Sequence, residues 1–179
     1  MRRRLVYAAV AFLLAVMFFA VPSSRVLADA KEAAGMPNVT LDFSQAMPRQ
    51  VEDATEKAVT RDYAATWQAM IEALEQNRAD LLDPNFIGTA NDKLKETIQQ
   101  QSKAGLQRRY VDRGHRVQAI FYSSDGSAME LHDTAQFSVQ LLDGDKVVAT
   151  RDGSAQFVVL MTAAENSWKV RIFQEVPSL

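Results

Sequence analysis

Apolar or small side chains recur at three- and four-residue steps from Val51 through Thr55, Ala58, Val59, Tyr63, Trp67, Met70 and Ile71 to Leu74. Glu52, Asp53, Glu56, Lys57, Arg61, Gln68, Glu72 and Glu75 fill the positions between. A period near 3.6 with one apolar stripe predicts a single long amphipathic helix beginning after Pro48, a residue tolerated in a first helical turn. Tyr63 and Trp67 lie on that stripe and read as core. Asp83-Pro84 interrupts the pattern, and "GTANDKLKETIQQQSKAG" predicts a second helix. Thr89 followed by Asp92 resembles an acidic capping box, and Gly105 is placed to end the helix. Its apolar stripe is narrow, chiefly Leu94 and Ile98, as suits a helix on the outside of a domain.

Beyond Gly105 the period falls from 3.6 to 2. "HRVQAIFY", "AMELHDTAQFSVQL", "DKVVATRDGSAQFVVLMT" and "SWKVRIFQEV" predict four strands joined at "SSDG", "LLDG" and "AAEN". Helices followed by a run of hairpins predict an α+β domain whose N-terminal helices pack on the concave face of a curved antiparallel sheet. Before the first helix, "NVTLDF" alternates Val39, Leu41 and Phe43, so a short extended segment is expected within an otherwise small and polar stretch over 29–47.

A long helix, a shorter helix after the "DP" break, then long bent strands closing on "SWKVRIF" resemble the NTF2-like superfamily, the cystatin-like α+β cone. The resemblance covers roughly residues 48–177, within a domain expected over 48–179. It rests on element order and the Trp-containing last strand. It implies a cone-shaped domain of a kind that serves isomerase-like and dehydratase-like enzymes, ligand-binding modules and protein-interaction modules, so it leaves the activity open.

Candidate chemistry depends on which way the strand residues point. His132 and Asp133 are adjacent, and successive side chains on a strand face opposite sides. His132 therefore goes outward with Glu130 and Thr134, and Asp133 inward with Leu131 and Ala135. Three-residue loops at Gly126 and Gly144 would match apolar face to apolar face. They would align Val117 with Asp133, His115 with Ala135, Ala135 with Arg151 and Asp133 with Gly153. The expected pocket is Asp133 with Arg151 and His115 as diagonal neighbours, backed by Tyr63 and Trp67. It would suit a charged small-molecule ligand better than proton abstraction, because an opposite charge weakens a carboxylate base. On the outer face, Ile120, Tyr122, Val158, Leu160 and Phe173 would form an apolar patch, either a homodimer or partner surface or ground covered by "NVTLDF".

Composition narrows the setting. Residues 1–28 carry Arg2, Arg3 and Arg4, then an uncharged run of 17 residues over 5–21, then Val26 and Ala28 before Asp29, as in a cleavable signal peptide. The run is also long enough to suggest an uncleaved signal anchor, the one membrane attachment the sequence offers. Either reading places the remainder outside the cytoplasm, periplasmic or secreted, and makes an envelope protein a natural partner. The chain has no Cys, so thiolate chemistry and Cys-based metal sites are excluded. Two His predicted on opposite faces do not make a zinc site, no phosphate-binding glycine motif occurs, and no metal or cofactor is expected. Without residues 1–28 there remain 16 basic and 22 acidic residues, a formal charge of −6, the wrong sign for a nucleic-acid backbone. The sequence thus points to an exported, non-enzymatic binding module that self-associates through its sheet, with an Asp133-dependent isomerase or dehydratase as the alternative.

Overall fold

The computed structural model describes residues 36–176. Strands β1 (Val39–Asp42) and β2 (Met47–Pro48) precede helix α1 (Asp53–Gln76), a short 3-10 turn (Ala79–Leu82) and helix α2 (Gly88–Lys103). Four long strands follow: β3 (Leu106–Tyr122), β4 (Ala128–Asp143), β5 (Lys146–Ala164) and β6 (Ser167–Val176). They form one six-stranded sheet in the order β1-β3-β4-β5-β6, with β2 also pairing β3, and all pairings within β3 to β6 are antiparallel. The architecture is the α+β cone expected from the sequence: helices on one face of a curved sheet.

Helix α1 forms where the periodicity placed it and buries Val59, Tyr63, Trp67, Met70 and Leu74. Each such side chain removed from water stabilises the fold by about 1.5–3 kcal/mol. The helix ends at Asn77, whose φ of 53° is a left-handed cap. Helix α2 differs from expectation at its start. Thr89 does not cap it; its hydroxyl donates to the Arg171 carbonyl of β6 (3.1 Å), tying the helix end to the sheet. "NVTLDF" becomes β1, paired in parallel with β3 from Val39↔His115 to Asp42↔Gln118, so it extends the sheet edge and does not lie over the outer face.

Besides a bulge at Gly114 in β3, three bulges decide which side chains face the core. Between β3 and β4 the expected pairs Ala119↔Leu131, Val117↔Asp133 and His115↔Ala135 all form. An irregularity at Ile120 then reverses the alternation, so Tyr122, not Phe121, lies opposite Met129 and is buried, and Phe121 turns outward. In β6 the extra residue is Arg171. Val170 pairs with Met161 but Ile172 pairs with Leu160, which sends Phe173 into the core and leaves Ile172 exposed, the reverse of the sequence reading.

The third bulge lies beside the β4–β5 turn. The strands continue to Asp143↔Lys146, closing on a two-residue Gly144-Asp145 turn in place of a three-residue loop, and Val148 is extruded between Leu142↔Val147 and Leu141↔Ala149. Apolar faces still meet, because turn and bulge together restore the alternation. The register is nevertheless displaced by four residues, so Asp133 lies opposite Phe157 instead of Gly153, and Arg151 opposite Val139 instead of Ala135.

One buried acid on α1 fastens the helix to the last hairpin. Asp62 accepts the backbone N–H of Trp168 (2.7 Å) and the Arg61 Nε–H (2.8 Å). Asp62→Ala leaves the Trp168 N–H unpaired in the core and is expected to cost about 1–3 kcal/mol in urea unfolding, with Asp62→Asn, which keeps an acceptor, losing less. Equal losses for the two variants would mean that the bond contributes nothing beyond packing.

Candidate functional site

The buried polar centre lies where α1, β3 and β4 converge. Val117↔Asp133 and His115↔Ala135 set the His115 and Asp133 side chains on the core face of adjacent strands, and the apolar stripe of α1 brings Tyr63 and Trp67 down onto them. Asp133 Oδ2 accepts the Tyr63 hydroxyl (2.7 Å) and lies 2.8 Å from His115 Nδ1. The other imidazole nitrogen, Nε2, is 3.0 Å from Asp112 Oδ1, a close charge contact without hydrogen-bond alignment. Trp67 covers the imidazole with ring centroids 4.4 Å apart, and Phe157 packs edge-on against Trp67 at 5.4 Å.

Charge explains the arrangement. Burial alone would lower the His115 pKa, but the hydrogen bonds and charges of Asp112 and Asp133 outweigh it and raise the value to about 9, so the ring is an imidazolium at neutral pH. Burial and the neighbouring Asp133 hold the Tyr63 hydroxyl well above its ordinary value, keeping it a donor. Burial lifts Asp112, and its bonds to His115 and to the backbone N–H groups of Gly114 and Asn38 more than offset that, leaving it below the usual carboxylate range. Asp112 thereby also anchors Asn38, the residue that leads into β1.

Of the residues expected to form a pocket, Asp133, His115, Tyr63 and Trp67 do meet. Arg151 does not: the register displacement puts it beside Val139, exposed on the far part of β5. The third charged group of the centre is Asp112, which faces His115, and no hydrophobic pattern in the sequence marks it. Asp112 and His115 flank Gly114, whose φ of 128° marks the β3 bulge that turns both side chains to one side. The Asp133 and His115 side chains are 0% and 1% exposed, and Tyr63 and Trp67 are buried with them. A base must touch the proton it removes, and the Asp133 side chain presents no exposed surface. Among the described residues no group of three His, Cys, Asp or Glu side chains is arranged to hold a metal ion.

The outer face has a different character. His132 points outward as expected and pairs with Glu130 (2.8 Å). An open trough of about 660 Å³ crosses it, lined by residues of β1, β3, β4, β5 and β6, among them Asp42, Arg116, His132, Asp133, Phe157 and Val158. Beside the trough runs a more apolar row in register, Met47, Phe121, Glu130, Leu160 and Ile172, drawn from all strands but β1. Of the expected patch, Ile120, Val158 and Leu160 stay half-exposed, whereas Tyr122 is buried and Phe173 stacks on Phe157 at 4.8 Å. The bulges replace those two with Phe121 and Ile172.

Two outcomes test the buried centre. Asp133→Asn removes the charge opposite the imidazolium and is expected to cost about 3 kcal/mol or more in urea unfolding at pH 7, as for breaking a buried pair. The raised His115 pKa means that the folded state holds a proton which the unfolded chain gives up near 6.5. The contribution, on the order of 3 kcal/mol, is full below pH 6.5 and is lost as pH rises through about 9. Unfolding of the wild type and of His115→Gln at pH 6, 8 and 10 should therefore show a stability gap that narrows upward; a constant gap would contradict a charged His115.

No family model matches the chain, and no curated protein sequence is significantly similar to it. Solved structures do resemble it. The intermembrane space region of the chloroplast protein ARC6 superposes with a TM-score of 0.60 at 15% identity, covering 73% of this chain and 100% of that one. Aln2 from a Streptomyces species gives 0.46 at 11% identity, covering 70% and 93%. ActVI-ORFA from Streptomyces coelicolor gives 0.45 at 14% identity, covering 65% and 92%. At such identities the likeness is one of fold: two helices packed on a curved, mostly antiparallel six-stranded sheet, the α+β cone expected from the sequence.

Proposed function

We propose that this chain is an exported, non-enzymatic binding module that associates with a second copy through the outer face of its sheet. The observation that carries the reading is the closure of the cone over Asp133. In an enzyme of the isomerase or dehydratase kind the carboxylate would face a cavity, whereas here Trp67, Phe157 and Tyr63 fill that space and Asp133 is engaged in holding His115 and Tyr63. A buried centre of this kind contributes stability and leaves binding to the surface. The Asp133-dependent enzyme is accordingly not favoured.

Self-association is supported by the outer apolar row. Met47 is 67% exposed, Phe121 41% and Ile172 39%, on neighbouring parts of one sheet face with Leu160 between them. Grouped apolar side chains of this size on a sheet face mark interaction surfaces more often than scattered ones do. Export is supported by the basic, apolar and small-residue succession of residues 1–28, which lies outside the described residues. No helix among the described residues is long and apolar enough to cross a membrane.

Sedimentation velocity across a concentration series tests the association. The wild type is expected to dimerise in the micromolar range, and Phe121→Glu with Ile172→Glu to raise the dissociation constant by at least tenfold while leaving the fold intact by circular dichroism. A monomer at every concentration, or a dimer indifferent to both substitutions, would remove the outer face from the proposal.

A further inference from the structure

The core face of β4 does not end with the core. By alternation Phe137, Val139 and Leu141 point to the same side as Asp133 and Ala135. Their neighbours on β3 are Asp112, Tyr110 and Arg108, and on β5 Gly153, Arg151 and Ala149. Helix α1 reaches β4 and β5 through Tyr63 at Asp133 and Trp67 at Phe157, and β6 pairs with β5 only from Gln156 onward. Before that point β4 and β5 continue as an arm without β6, beside the start of β3, which Asn77 of α1 holds at the Leu106 carbonyl (2.9 Å). Its near end, the Tyr110–Phe137 pair with centroids 5.6 Å apart, touches the core, and Val139 and Leu141 beyond it are half-buried.

Charge on the arm is sorted by side. Arg113 pairs with Asp152 (3.0 Å), and Arg109 pairs with Glu75 of α1 (2.7 Å). Arg108 and Arg151, the two guanidinium groups on the core-facing side, have no acid partner among the described residues. Both act on the Tyr110 hydroxyl, as does Glu175 of β6, which is ion-paired with neither. Asp112 on this side is already committed to His115 and Asn38. Beside Phe137, Gly153 leaves the surface open, because a Cβ built there meets no atom within 4 Å. Aromatic rings and Arg side chains together are the chemistry that dominates binding energy at interfaces. On β5 the edge from Ala149 to Ala155 has no strand neighbour among the described residues, so its backbone groups remain available to an extended partner.

We infer that the core-facing side of the β3–β5 arm, with Tyr110, Phe137, Arg108, Arg151 and the open ground at Gly153, binds a segment of another protein that carries carboxylates beside aromatic or aliphatic side chains. The apolar side chain packs over Gly153 against Phe137, and the carboxylates meet Arg108 and Arg151. The inference rests on the reading of the chain as an interaction module and names a surface distinct from the outer face.

A random dodecapeptide display library selected on the purified full chain tests it, followed by titration of the enriched peptide. The expected consensus places Asp or Glu next to Phe, Trp or Leu. Arg151→Glu and Gly153→Leu, both at exposed positions, should weaken that peptide at least tenfold, and Phe121→Glu on the outer face should leave it unchanged. The Arg151→Glu chain should in turn bind the same peptide with Lys in place of its acids. No enrichment, a consensus without acids, or equal binding to the Arg151→Glu chain would overturn the inference. So would a dimer abolished by Arg151→Glu, which would make a second copy the occupant. Peptide binding lost with Phe121→Glu alone would overturn this surface and leave the interaction module standing. Absence of both peptide binding and self-association would remove both.

Discussion

A carboxylate shut inside a core has to be met by donors, and the interior of this protein meets one oxygen of Asp133, Oδ2, and leaves Oδ1 without a partner among the described residues. Its two partners come from different elements, Tyr63 from α1 and His115 from β3. The imidazolium in turn needs a second acid, which Asp112 supplies. Asp112 also takes the backbone N–H of Asn38, so the same small network links the helix, the two central strands and the entry to β1. Breaking any member leaves an uncompensated buried charge or donor, which is far more costly than the intact network is stabilising. Tyr63, Trp67 and Phe157 occupy the interior of the cone around Asp133 and His115.

Local irregularities then decide the exterior. A single extra residue in a strand sends every following side chain to the opposite face. At Ile120 and Arg171 this exchanges Tyr122 for Phe121 and Phe173 for Ile172, and the two aromatic rings turned inward seal the core near Trp168 and Trp67. At Val148 the extra residue follows a tight turn, and the two together carry Arg151 away from the buried centre and out to the arm. The surface open to partners is thus fixed by three backbone defects as much as by composition. What they leave exposed is an apolar row on one side of the sheet and an aromatic, cationic strip on the other.

The long helix, the four hairpin strands and the parity of Asp133 against His132 were legible in the sequence, because periods of 3.6 and 2 are local properties of a chain that must bury one side of each element. The meeting of His115 with Asp133 was legible for the same reason: the β3–β4 pairing is regular between the Gly114 and Ile120 bulges, and a correct register follows there from matching apolar faces alone. The expectation about Arg151 failed because face matching constrains register only to an even number of residues, and a displacement of four satisfies it equally well. Asp112 was missed because its role depends on the Gly114 bulge, and no pattern of hydrophobicity marks an irregularity of that kind.

By itself, then, the sequence determined the elements, their order, the α+β cone and which residues of each strand share a face, all of which follow from the repeat of the backbone and the exclusion of apolar groups from water. Only the tertiary structure decided which faces meet in which register, that Asp133 is buried and bonded by His115 and Tyr63, and that Phe121, Ile172 and Arg151 are exposed. Those outcomes depend on where single residues are extruded from a ladder, a matter settled by packing across the whole sheet and not by any short stretch of chain.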